Sequence, residues 1–187
     1  MFLKEKNSDR AIFEQLKSGD PQALTMLFNK YYQQLCRFAF CFIPENEVIE
    51  ELTANVFINL WENRKRLQIH TGIRAYLYQA VKNQAISHLR KKKPLTHPLE
   101  DGFDFSDKKD RTPEAIYIEN ELNIEFVQAF QKLPPRAKLA FKLHRFDGLT
   151  YNEVADIMKI SVAAVEKNIT SALKILHREL AEITQTR

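Results

Sequence analysis

Apolar side chains in this 187-residue chain recur at spacings of three and four, segment after segment, and never alternate. That period is helical; a half-buried strand would place every second residue inward. Leu24, Leu27, Phe28, Tyr31, Leu35, Phe38 and Phe42 mark one helix face. The helix is entered through Asp20-Pro21, an N-cap followed by proline at the first helical position, and Pro44 is expected to stop it. Ile49, Leu52, Val56 and Leu60 predict a second helix over about 48–61, with Phe57 and Trp61 read as core. A third helix turns Ile73, Leu77, Ala80, Val81 and Leu89 inward. Between the second and third, Asn63 to Gly72 lacks a sustained period and reads as a loop.

Residues 94–112 change character: two prolines, a glycine, mixed charge and no helical stripe predict a linker, although Phe103 and Phe105 are unusual in a spacer. Thr112-Pro113-Glu114 then opens a second helical block, with Leu122, Phe126, Phe130 and Leu133 as its first stripe, interrupted by Pro134-Pro135. Ala137 to Phe146 reads as a helix closed by Asp147-Gly148. Thr150 to Met158 is a short helix whose capping box is completed by Glu153. Ser161 caps a longer one with Val162, Val165, Ile169, Ala172, Leu173, Leu176 and Leu180 inward. The expected fold is all-α: two small helical domains, 9–93 and 113–187, joined by a linker over 94–112.

The stretch 150–176 is the most specific. A short capped helix, the three-residue turn Lys159-Ile160-Ser161 and a longer helix form a helix-turn-helix, with Ile160 filling the angle. In that motif the second helix enters the DNA major groove. Its outward face here is small or polar: Ala163, Ala164, Glu166, Lys167, Thr170, Ser171, Lys174 and Arg178. Small residues near the helix start allow close approach to base edges, and Lys and Thr donate to bases or phosphates.

Composition removes competitors. Four glycines speak against Gly-rich phosphate loops, and Cys36 with Cys41 makes neither a disulfide framework nor a four-ligand zinc site. The five histidines are scattered, and neither HExxH nor a Walker motif occurs, so no enzyme, cofactor, metal or small-molecule substrate is expected. No apolar run suffices for a membrane span and the N-terminus lacks a secretory stretch, which predicts a cytoplasmic protein. The 28 basic and 24 acidic side chains, net +4, are unevenly placed. Residues 1–93 hold 15 basic and nine acidic groups, 94–112 hold three and five, and 113–187 hold ten of each. The basic excess peaks at Arg90-Lys91-Lys92-Lys93, a pattern suited to phosphates. The neutral second block would need another surface or partner to hold it on DNA.

These stretches resemble a known family. LPPRAKLAFKLHRFDGLTYNEVADIMKISVAAVEKNITSALKILHREL is similar to region 4 of the extracytoplasmic-function sigma factors, a compact branch of the sigma-70 family. EELTANVFINLW and RAYLYQAVKNQAISHLRKKK are similar to region 2, and the two appear in the family's order. The resemblance implies a factor that binds core RNA polymerase and directs it to promoters. Region 2 would dock on the β′ clamp helices and capture the minus ten element as a single strand. Region 4 would read the minus thirty-five element as duplex and meet the β flap.

Carried over residue by residue, it places Glu50, Glu51, Thr53, Ala54 and Asn55 at the polymerase surface. Arg74, Tyr76, Tyr78, Asn83, Ser87, Arg90, Lys91 and Lys92 fall at the minus ten strand, with Leu67, Gln68, Ile69 and His70 in a loop that receives a flipped base. Ser161, Ala163, Ala164, Glu166, Lys167, Thr170, Ser171 and Lys174 fall at the minus thirty-five element. Tyr76, Asn83, Ser87 and Arg90 share one helical stripe, combining stacking, edge hydrogen bonds and phosphate contact. An anti-sigma partner is also implied. The sequence departs from the family at Glu51, Ala54 and Asn55, where Asp-Leu-x-Gln-Glu is common, and at Lys159, where glycine is common. A stand-alone helix-turn-helix regulator is the alternative; the likeness of the first block to region 2 favours a sigma factor.

Overall fold

The computed structural model describes residues 8–69, 72–92 and 124–185, all helix, turn or connecting segment. The expected linker and the helix start at Thr112-Pro113 lie outside them. The chain divides into two compact units, Met1–Leu95 and Thr96–Arg187.

The first unit opens with α1 (Asp9–Ser18), too short for its three buried apolar residues, Ile12, Phe13 and Leu16, to announce it as a stripe. Ser8 Oγ accepts from the Ala11 N–H at 3.3 Å, and Gly19 ends the helix at φ 95°. The Asp20 carboxylate caps α2 (Pro21–Ala39) by accepting from the Gln22 N–H at 2.9 Å. α2 stops five residues before Pro44, not at it. The N–H groups of Cys41, Phe42 and Ile43 bond to the Phe38 and Ala39 carbonyls in a tightened last turn. Ile43, the residue before proline, is disfavoured in helix, so the turn must finish first.

α3 (Asn46–Asn63) and α4 (Ile73–Lys92) complete the unit, and α4 packs against all three other helices. Its buried residues, Ile73, Ala75, Leu77, Tyr78, Val81, Lys82 and Ala85, consequently span more than half its circumference. Leu16, Leu27, Leu35, Leu60 and Leu77 are all removed from solvent, each contributing about 1.5–3 kcal/mol.

The second unit begins in the described residues with α5 (Ile124–Gln131). α6 (Pro135–Phe141) starts at its N1 proline, two residues earlier than expected, and continues as a single π turn over Lys142–Phe146. The Leu149 N–H reaches back to the Leu143 carbonyl at 3.0 Å, closing the corner. His144 Nδ1 lies 2.8 Å from the Leu149 carbonyl; an oxygen there can only accept, so Nδ1 carries the proton. α7 (Tyr151–Met158) has the expected capping box: Glu153 N–H to Thr150 Oγ1 at 3.3 Å, and Thr150 N–H to Glu153 Oε2 at 2.8 Å.

α8 (Val162–Gln185) begins with Ser161 Oγ accepting from the Ala164 N–H at 3.2 Å. Val165, Ile169, Ala172 and Leu176 are buried as expected. Val162 and Leu173 are not: they stand 42% and 54% exposed. At about 100° per residue they lie 60° to 80° off the inward line, beyond the width of helix that α5, α6 and α7 cover. Glu179, near the far end of α8, is buried between Lys132 Nζ at 2.5 Å and Arg178 Nη2 at 3.0 Å. Hydrogen bonding from Lys132, then from Arg178, holds its carboxyl below the usual glutamate range.

Candidate nucleic-acid interface

On α4, Tyr76 is half-buried while Asn83, Ser87 and Arg90 are exposed. All four lie within about 40° of one line along the helix, opposite the buried arc. The structure therefore brings the expected stripe together. Burial pushes the Tyr76 phenol up, so it stays a neutral donor. Tyr78 does not belong with it. It is completely buried, its ring 4.9 Å from Phe38, because two residues carry a side chain about 200° around a helix. Tyr78 is core, correcting its assignment to the DNA surface. Arg74 is half-buried and sits on the far side of α4 from the stripe.

Arg90 and Lys91 end α4 exposed, while Lys92 Nζ is 3.1 Å from Glu45 Oε1, with both side chains about half exposed. Screened by solvent, that pair is weak and yields readily to a phosphate. In the loop after α3, Leu67 and Ile69 are half-buried and Gln68 exposed; His70 lies outside the described residues.

α3 presents a different surface. It carries Glu47, Glu50, Glu51 and Glu62 and no lysine or arginine. Glu50 and Glu51 are exposed, and Ala54 and Asn55 half-exposed. Thr53 is fully buried beside Cys36, which removes it from the expected polymerase contacts. Burial pushes the Cys36 thiol up, keeping it protonated and unreactive. Phe57 is core as expected, in an aromatic group with Phe28 at 5.0 Å. Trp61 is half-buried and faces the Arg64 guanidinium. Ile58 was not singled out by sequence: it stands 53% exposed on the acidic face, one turn from Ala54. Its failure to fit the inward stripe of α3 was the available signal.

On α8, Ser161, Ala163, Glu166, Lys167, Thr170 and Lys174 are exposed, and Ala164 and Ser171 half-buried. Ala163, Lys167, Thr170 and Lys174 share the line opposite Val165. The Ser161 hydroxyl is already engaged as the cap, and the Ala164 carbonyl accepts from Asn168 Nδ2 at 2.7 Å. Lys159, in the turn before α8, has a left-handed backbone at φ 54°, the one positive φ at a non-glycine among the described residues.

Residues 27–94 match the family description Sigma-70 region 2, and residues 124–176 match Sigma-70, region 4. The chain belongs to the sigma-70 family. Among its relatives are the RNA polymerase sigma-H factor of Pseudomonas aeruginosa, 24% identical over 183 residues, covering 94% of this chain and 95% of that one. The ECF RNA polymerase sigma-E factor of Haemophilus influenzae is 23% identical over 186 residues, covering 95% and 98%. Two solved structures share the fold. CnrH in complex with the cytosolic domain of CnrY gives a TM-score of 0.63 at 20% identity, covering 93% of this chain and 97% of that one. The sigma factor RpoE in complex with the anti-sigma factor NepR from Bartonella quintana gives 0.56 at 16%, covering 84% and 96%. The chain is thus an alternative sigma factor of the extracytoplasmic-function kind, and a stand-alone regulator would leave the region 2 match without a purpose. Among the described residues of the factor, no helix is long and apolar enough to cross a membrane.

Proposed function

We propose that this sigma factor recognises its promoters by two mechanisms on two surfaces. Region 2 takes the minus ten element as a melted strand along α4, and region 4 takes the minus thirty-five element as duplex along α8. The observation that carries the reading is the line of half-buried Tyr76 with exposed Asn83, Ser87 and Arg90, opposite the buried arc of α4. An aromatic ring, an amide, a hydroxyl and a guanidinium in register can stack on, hydrogen-bond to and neutralise successive nucleotides of one strand. Lys91 and Lys92 add phosphate contacts. Leu67, Gln68, Ile69 and His70 form the pocket that receives an extruded base.

The acidic face of α3 serves core polymerase, and its opposite charge keeps DNA off that side. Glu50, Glu51, Ala54 and Asn55 belong to this surface, with Ile58 as its apolar centre and Glu47 and Glu62 at its rim. Thr53 acts from beneath, holding the helix in place. This is the surface for the β′ clamp helices. On the second unit the exposed Phe146 and Leu173 offer the apolar contact for the β flap. Holding by polymerase compensates the neutral charge of that unit, which binds DNA weakly alone.

An anti-sigma factor is proposed to compete for these surfaces; both structural neighbours are described in complexes, one of them with a named anti-sigma factor. The factor works in the cytoplasm beside polymerase and needs no metal or cofactor. Transcript-start mapping after overexpression, followed by run-off transcription with reconstituted holoenzyme, tests the reading. Starts should share two upstream elements, and substitutions in the upstream one should weaken duplex binding while those in the downstream one impair opening. Failure to bind core polymerase at micromolar concentration would reject it.

A further inference from the structure

We infer that Arg64 is a positioning residue for the base-accepting loop; this rests on the reading of residues 67–70 given above. Arg64 is the C-cap of α3. Its Cζ lies 4.0 Å from the centre of the Trp61 ring, and its Nη1 donates to the Trp61 carbonyl at 2.6 Å. One side chain thus covers the indole and adds a second, shorter bond to the helix-end carbonyl that the Arg64 N–H meets at 3.4 Å. In the same turn the N–H groups of Arg66 and Leu67 both bond to the Asn63 carbonyl, at 2.8 and 3.1 Å. The chain leaves α3 in one direction, and Leu67, Gln68 and Ile69 are delivered with it.

One observation separates this role from a phosphate contact. Arg64 is half-buried against Trp61, whereas its neighbours Lys65 and Arg66 are exposed and better placed to meet a backbone. The rigid planar fork is what a stack and an in-plane donor require together; lysine supplies the charge but neither of these.

The test uses holoenzyme assembled from core polymerase and the full chain, with fork-junction probes from a mapped promoter carrying each base in turn at each non-template position of the minus ten element. Arg64→Met and Arg64→Lys should both reduce the best-to-worst base ratio at a loop-contacted position by about tenfold, the scale of one base's discrimination. Melting temperature, core affinity and the salt dependence of binding should be unchanged. If Lys keeps the ratio while Met weakens all probes alike and lowers the salt slope by about one, Arg64 is a phosphate contact and the inference fails. Unchanged ratios in both variants also overturn it. Should either variant melt early, Trp61→Phe, which keeps a smaller ring for the stack, must lose discrimination part-way; full retention there overturns the inference too. A Leu67→Ala, Ile69→Ala double variant that keeps wild-type discrimination would instead overturn the loop reading itself.

Discussion

Lys159→Gly should stabilise the second unit. α7 ends in a Schellman motif: the Ile160 N–H bonds to the Ala155 carbonyl at 3.1 Å, and the Lys159 N–H to Asp156 at 3.4 Å. The residue between must be left-handed, and Lys159 is, at φ 54° and ψ 46°. The chain builds the same motif at the end of α1, where Asp20 N–H bonds to Gln15 and Gly19 N–H to Leu16, and there it uses glycine. A side chain in this conformation costs about 1–2 kcal/mol. Glycine returns about 0.4–1 kcal/mol of that through the entropy of the unfolded chain. The Lys159 side chain is exposed and makes no hydrogen bond or ion pair among the described residues, so its removal forfeits little.

The net gain is about 0.5–1 kcal/mol, a rise of roughly 2–6 °C for a domain of this size. Calorimetry of the full chain should show the transition of the second unit moving up. Lys159→Ala separates backbone from charge: it removes the ammonium, keeps the Cβ and should not stabilise. Gly19→Ala is the reciprocal. A Cβ there meets nothing within 4 Å, so its cost is purely conformational, about 1 kcal/mol, and the first unit should melt lower. Lys159→Gly with an unchanged or lower transition, beside a destabilising Gly19→Ala, would refute the reasoning.

Three further outcomes are expected. Ile58→Glu should weaken core polymerase binding at least about tenfold in a titration, yet hold the melting temperature, since an exposed substitution shifts stability by only about 0.5 kcal/mol. Tyr76→Ala should slow promoter opening in a permanganate or fluorescence assay at a stability cost well below that of Tyr78→Ala, which should be about 3–5 kcal/mol in urea unfolding, since it empties the core between α2 and α4. Glu179 has a lowered folded-state pKa, so its stabilising contribution is complete above the unfolded glutamate value of about 4.3 and is lost as pH falls through the folded value. The urea midpoint of Glu179→Gln should therefore lie below wild type at pH 7, with the gap starting to narrow as pH falls below about 4.3; a gap that does not narrow with further acidification would contradict the assignment.

What the sequence made legible follows from how many faces each helix buries. α8 lies against its neighbours along one side, so its polar line from Ala163 to Lys174 survives in the sequence as a clean period, and the turn at Lys159 stands out because its neighbours are capped. Even there the width of the inward stripe was misjudged: Val162 and Leu173 fit the spacing but lie beyond the reach of α5, α6 and α7. α4 is harder. With three helices packed on it, apolar residues occupy more than half its circumference, the polar contrast narrows, and two aromatics two residues apart both look available to DNA. Only the packing decides that Tyr76 remains partly open and Tyr78 closes the core. The same packing exposes the stripe through Asn83 and Ser87 as a line that no helix among the described residues covers. A surface proposed to take a melted strand must combine rigidity beneath with solvated groups above, and α4 has both because its buried residues span more than half its circumference. The residues that make it hard to read from sequence are those that hold its polar line straight for the proposed strand contact.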